Sequence, residues 1–175
     1  MKKKEIIILA SVLIVLTIVI AIFVNRKVSF KEVKTDDYVF TYDTTWKKVK
    51  GEKGVTLKHK KSGSKLNIQC MVLEDSYMDV DLKDIISDIT YGIEKQNEGF
   101  KLISVLDAPS DKYDSYSYLY EDDMEQALVN VYKKDNKVVI AYFSCESEKF
   151  DIVLDSVDNI FDSIEIKTGE EIKLT

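Results

Sequence analysis

The sequence predicts an α+β protein: an N-terminal transmembrane helix, then one antiparallel-sheet domain with two packed helices, in the order β-β-β-α-β-β-β-β-α. Three observations carry this. Ile6–Val24 is a run of 19 residues without a charge. Past it, short apolar runs alternate with period two and are punctuated by turn residues, as strands are. Only two stretches carry apolar residues at helical spacing, too few helices to cover both faces of a parallel sheet.

The chain divides into a cytoplasmic tail (1–5), the transmembrane helix (6–24), a charged linker (25–37), the α+β domain (38–166) and a polar tail (167–175). At about 1.5 Å per residue, Ile6–Val24 makes roughly 28 Å of helix, close to the hydrocarbon thickness of a bilayer. Ser11 and Thr17 are its only polar side chains, and each can bond a carbonyl one turn back. A cleaved signal peptide is the rival. Its apolar run is shorter and ends in a small-x-small site, whereas this run ends in Ile22-Phe23-Val24-Asn25-Arg26-Lys27. Neither cysteine is near enough for lipoprotein processing. Basic residues flank both ends, so the positive-inside count is nearly even. The short tail with Lys2, Lys3 and Lys4 resists translocation, which places the N-terminus in the cytoplasm and the domain outside.

Tyr38–Tyr42 reads as a strand, followed by the turn Asp43-Thr44-Thr45 and then Trp46. Gly54–Lys60 and Lys65–Leu73 form a hairpin around Lys61-Ser62-Gly63-Ser64. Leu66, Ile68, Cys70 and Val72 share its inward face, with Asn67 and Gln69 outward. Asp81 is placed to N-cap a helix whose stripe is Leu82, Ile85, Ile86, Ile89 and Ile93, ended by Gly99. Phe100–Leu106, Tyr113–Tyr120, Gln126–Lys133 and Lys137–Cys145 are four strands in series. Glu121-Asp122-Asp123 and Asp135-Asn136 are turns between them, the latter tight. Lys137–Cys145 is the most apolar and is expected to be central. The last helix starts near Ser147 as N-cap and buries Phe150, Val153, Val157, Ile160, Phe161 and Ile164.

Beyond residue 27 the chain carries 20 Lys+Arg against 30 Asp+Glu, a net of −10. Such a surface is not expected to attract nucleic acid or anionic lipid. One proline and six glycines leave no room for long low-complexity linkers. The single histidine, His59, sits among Lys58, Lys60 and Lys61 and reads as a solvent-exposed strand-end residue, not a catalytic base. No HExxH, CxxC, GxSxG or P-loop stretch is present. Cys70 and Cys145 are open to two readings, a disulfide or two buried thiols.

Two acidic clusters are the nearest approach to a site: Glu74, Asp75, Asp79, Asp81 and Asp84, and Glu121, Asp122, Asp123 and Glu125. Calcium takes several oxygen ligands, but the spacing is not that of an EF-hand. Acids ahead of a helix serve its positive end, and the second cluster is a hairpin turn. Tyr116, Tyr118 and Tyr120 share one strand face. They read as core packing under a helix, with a glycan- or peptide-binding row as the alternative. Ser115, Ser117 and Leu119 read as the solvent-like face.

The element order, Phe40-x-Tyr42-x-x-x-Trp46, Tyr116-x-Tyr118 and the closing Phe161-Asp162-Ser163-Ile164 resemble the PsbP-like family over residues 38–166. The resemblance implies a domain that acts by binding partners, without catalysis, and transfers no functional residue set. The anchor without a lipobox cysteine departs from the thylakoid and nuclear members. The chain is therefore expected to be a single-pass, membrane-anchored, extracytoplasmic binding or assembly protein. Its expected partners are the membrane, through Ile6–Val24, and another protein, with no nucleic acid and no cofactor. No catalytic, cofactor-binding or metal residue is assigned. An envelope receptor for a small molecule or glycan and a metal-dependent hydrolase using the acidic clusters are the alternatives.

Overall fold

The computed structural model describes residues 29–168 apart from 52, 97–98, 100 and 108–111. Ile6–Val24 lies outside the described residues, as do 169–175. Among the described residues no helix is long and apolar enough to cross a membrane.

Among the described residues, ten strands and two α-helices follow in the order β1 (Phe30–Lys34), β2 (Tyr38–Asp43), β3 (Trp46–Val49), β4 (Val55–His59), β5 (Lys65–Val72), α1 (Leu82–Gln96), β6 (Lys101–Asp107), β7 (Asp114–Glu121), β8 (Glu125–Lys134), β9 (Lys137–Glu146), α2 (Phe150–Asp162) and β10 (Glu165–Ile166). They form a small sheet, β1-β2-β10, and a seven-stranded sheet, β3-β4-β5-β9-β8-β7-β6. Every pairing is antiparallel. β9 is central, as its apolar content predicts.

The large sheet is covered on both faces. On one side α2 and the small sheet close a core of Phe40, Trp46, Leu57, Leu66, Phe143, Val157 and their neighbours. On the other, α1 lays Leu82 and Ile86 over Tyr118, Tyr120, Val129, Val131, Val138 and Ile140. The period of two sends alternate residues of β8 and β9 to opposite cores. Ser115, Ser117 and Leu119 are thereby corrected: Ser115 is buried, Leu119 packs on the first core, and Ser117 Oγ donates to Asn130 Oδ1 at 2.6 Å.

Several local expectations hold. Asp81 Oδ1 accepts the Lys83 amide at 2.9 Å and caps α1. Asp135 takes φ 54 in the two-residue β8–β9 turn. Others are corrected. Residues 25–37 are not all linker. Phe30–Lys34 pairs with β2, with Val33 its only buried residue, so the run lacked an apolar alternation to read. Trp46 opens β3, a strand too short to show a period. Ser147 is no cap: its amide donates to the Met124 carbonyl, and a 3₁₀ turn precedes α2 without a side-chain cap. Glu165–Ile166 adds a short strand to β2. Lys167, read as tail, donates its amide to Asp37 O at 2.8 Å.

One relay ties the layers. The buried Trp46 donates its indole N–H to Ser156 Oγ at 2.8 Å, and Ser156 Oγ donates to Asp43 Oδ2 at 2.8 Å. This joins β3, α2 and the end of β2. Ser156→Ala leaves a buried N–H and part of a carboxylate unsatisfied. It is expected to cost about 1–3 kcal/mol, read as a lower urea midpoint at unchanged slope for the full chain in detergent. An unchanged midpoint would show that the relay contributes nothing.

Candidate binding groove

An apolar recess lies between α1 and β6, an edge strand of the large sheet. Pairing of β6 with β7 slips between Leu102 and Ser104, leaving Ile103 as an extra residue. Such a bulge re-aims side chains. Here it puts Leu102 opposite Tyr120 and Val105 opposite Tyr118, so two residues three apart both face α1. The other wall is Lys83, Ser87 and Thr90, a helical stripe beside the buried one. Tyr116, Tyr118 and Ile86 complete the lining of about 410 Å³. Leu102, Ile103 and Val105 stay 39%, 48% and 51% exposed.

The tyrosine row is thus split between two roles. Tyr118 and Tyr120 are buried under α1 as core residues, and Tyr116 is half-buried in the groove, with Lys83 Nζ 6.0 Å from its ring centroid. Burial, with Tyr116 adding to it, pushes the Tyr118 phenol up to about 12. The sequence offered no signal for the groove itself, because it depends on which strand lies at the sheet edge.

A second, polar recess of about 610 Å³ lies between the β1–β2 turn and β4–β5, with Asp36, Asp37, Lys53, Gln69 and Cys70 among its walls. Asp37 is already engaged by Lys137 at 3.1 Å. Burial pushes the Cys70 thiol up to about 11, Asp37 adding to the rise, so it is a protonated thiol rather than a nucleophile. Cys70 and Cys145 are both free. Cys70 lies opposite Val139 on β9, and Cys145 is six residues further along that strand, about 20 Å at strand rise. No disulfide spans that distance.

One residue of each acidic cluster has a local structural use. Asp122 Oδ1 accepts the Met124 and Glu125 amides at 2.7 and 2.6 Å, and these bonds hold its carboxyl below the usual range. Asp81 caps α1. No three His, Cys, Asp or Glu residues are gathered for a metal among the described residues.

His59 is corrected from exposed to buried, at 8%. Its ring meets Trp46 edge-on at 5.1 Å between centroids. Nδ1 accepts the Ser62 amide at 3.2 Å and lies 2.8 Å from Ser62 Oγ, which bonds Ser64 Oγ in turn. The alternation of β4 turns residue 59 inward with Val55 and Leu57, outweighing the basic neighbourhood. Burial lowers its pKa below 6.5 against the opposing pull of Asp43, with Lys61 adding to the lowering. The unfolded chain therefore binds more protons just below that value. His59's contribution is fully present above about pH 6.5 and is lost as pH falls through the folded pKa. His59→Gln should shrink the stability difference between about pH 7 and pH 5 relative to the wild type. Equal pH slopes for the two proteins, by urea denaturation, would contradict a buried neutral imidazole.

No known family profile and no curated protein matches the chain. Solved structures do match. The chain is similar to the cyanobacterial PsbP protein CyanoP of Synechocystis sp. PCC 6803, with TM-score 0.63 and 17% identity over 80% of this chain and 94% of that one. It is similar to the Ran-binding protein Mog1p of Saccharomyces cerevisiae, with TM-score 0.57 and 6% identity over 80% and 96%. It is also similar to LpqN, involved in cell envelope biogenesis of Mycobacterium tuberculosis, with TM-score 0.56 and 9% identity over 82% and 94%. At these identities the likeness is one of fold: the domain has the PsbP-like fold that its aromatic motifs resemble.

Proposed function

We propose that this chain is a membrane-anchored, extracytoplasmic binding or assembly protein without catalytic activity, held by Ile6–Val24 and engaging a protein partner through the α1–β6 groove. The observation that carries the proposal is the half-exposed pair Leu102 and Val105 on an edge strand beside an aromatic floor. Contiguous exposed apolar surface on a globular domain marks an interaction site, and apolar cores with aromatic residues and a polar rim are how interfaces are built. Ser87, Thr90 and Lys83 supply that rim. The absence of catalysis is supported by the one histidine being committed to its turn and by the cysteine at a recess being held as a thiol.

A small apolar molecule is the second reading, favoured by the groove's volume, which falls within the range of ligand pockets. A photo-crosslinking residue at Leu102 or Thr90, in the full chain in its native membrane, separates the two. The expected result is a discrete protein adduct at both positions and none at Ile152, an isolated apolar residue on α2 that is 79% exposed. Val105→Asp should abolish the adduct while moving stability by no more than about 0.5 kcal/mol. Identical adducts at Leu102 and Ile152, or none at Leu102 and Thr90, would overturn the protein-partner proposal.

A further inference from the structure

The net charge of −10 hides an opposite local balance. Residues 44–66 contain eight lysines and one acid. Register makes that bias geometric. Lys47 on β3 lies directly opposite Lys58 on β4, and Lys58 directly opposite Lys65 on β5. Opposed residues in antiparallel strands share a face, so three lysines form a row across adjacent strands spaced about 4.8 Å apart. Lys47 and Lys65 are exposed and Lys58 half-exposed. None of the three is among the ion pairs of the described residues. α1 covers this face of the sheet over β7, β8 and β9, and the row lies beyond it. Like charges directly opposed on a sheet cost stability. A fold that keeps three of them in a ladder is complementary to an anionic surface.

The end of the sheet carrying the ladder is where the chain enters the domain. Phe30, 58% exposed, pairs with Asp43. The Asp43 side chain accepts the Thr45 amide, and Thr45 O accepts the Lys60 amide at 2.8 Å. Exposed Lys60 and Lys61 stand in the turn between Lys58 and Lys65. Six peptide steps separate Val24 from Phe30, at most about 21 Å of chain. A bilayer holding Ile6–Val24 therefore lies within reach of the ladder. The acidic turn Glu121–Glu125 occupies the opposite side of the same end. A single-sign surface would repel one half and attract the other.

We infer that the row Lys47–Lys58–Lys65, with Lys60 and Lys61, docks the domain onto anionic phospholipid headgroups of the membrane in which it is anchored, fixing the domain's tilt. The inference rests on the membrane-anchor proposal for Ile6–Val24. It leaves the α1–β6 groove at the other lateral edge of the sheet, away from the lysines.

The test uses the full chain in vesicles of phosphatidylcholine alone or rich in phosphatidylglycerol, with lysine acetylation by a membrane-impermeant reagent mapped by mass spectrometry. Vesicle flotation checks the anchor separately. The expected result is flotation with both vesicles, and acetylation of Lys47, Lys58, Lys61 and Lys65 slowed about fivefold on the anionic vesicle only. Lys133 and Lys134 should be unchanged. The protection should vanish in about 1 M salt, where the screening length is about 3 Å. Lys47→Glu with Lys65→Glu should remove it at Lys58. Lys58→Gln should raise the denaturation midpoint in detergent by relieving the opposed charges, where a merely structural lysine would lower it. Flotation with both vesicles but equal acetylation overturns this inference alone. Flotation with neither overturns the anchor and the inference together. Protection by a soluble polyanion such as heparin but not by the anionic vesicle assigns the ladder to another partner and overturns the lipid surface.

Discussion

The hydrogen-bond relay from Trp46 through Ser156 to Asp43 is the constraint on which the architecture turns. The small sheet and the large sheet share no ladder. They are joined covalently by the short turn after Asp43 and physically by α2. The relay pins all three at one point. It also shapes the electrostatics. Burial raises the Asp43 carboxyl, but bonds from the Thr45 hydroxyl and amide and from Ser156, with His59 nearby, hold it below the usual range. The ionised carboxylate then counters desolvation of the His59 ring, which packs on Trp46. A tryptophan placed by one bond thus organises a core, a helix and a turn.

Around that point the molecule divides its labour across one sheet. The α1 side carries a groove at the β6 edge and a lysine ladder at the β3 end. The groove exists because a bulge rotates Leu102 and Val105 onto one face. The ladder exists because three strands meet in a register that opposes lysine to lysine. Both features run against local stability, one by leaving apolar area wet and the other by aligning like charges. Gly54 shows a related economy of space. Its φ of 66° and the approach of the Ile68 carbonyl, 2.2 Å from where a Cβ would sit, let the loop before β4 close tightly over β5 at the polar recess.

Much of the fold was legible. The hairpin turns at Lys61–Ser64 and Asp135-Asn136, the cap at Asp81 and both helical stripes are local signals, and each governs residues within a few positions. Three short strands escaped because they show almost no period: Phe30–Lys34 buries only Val33, Trp46–Val49 buries only Trp46, and Glu165–Ile166 is two residues long. The candidate site was less legible. Tyr116, Tyr118 and Tyr120 were recognised as one face, but nothing local distinguished the two that are core from the one that lines a groove. His59 was read from its lysine neighbours when its strand phase was the stronger signal.

Periodicity and turn chemistry act within a segment, so the sequence alone determined the α+β class, the antiparallel hairpins and both amphipathic helices. The order of strands in a sheet, the register between distant strands and the place of a bulge arise only when segments far apart in the chain meet. Tertiary structure alone therefore decided that β6 is an edge with a groove beside it, that the two cysteines stay apart, that His59 is enclosed, and that Lys47, Lys58 and Lys65 stand in one row.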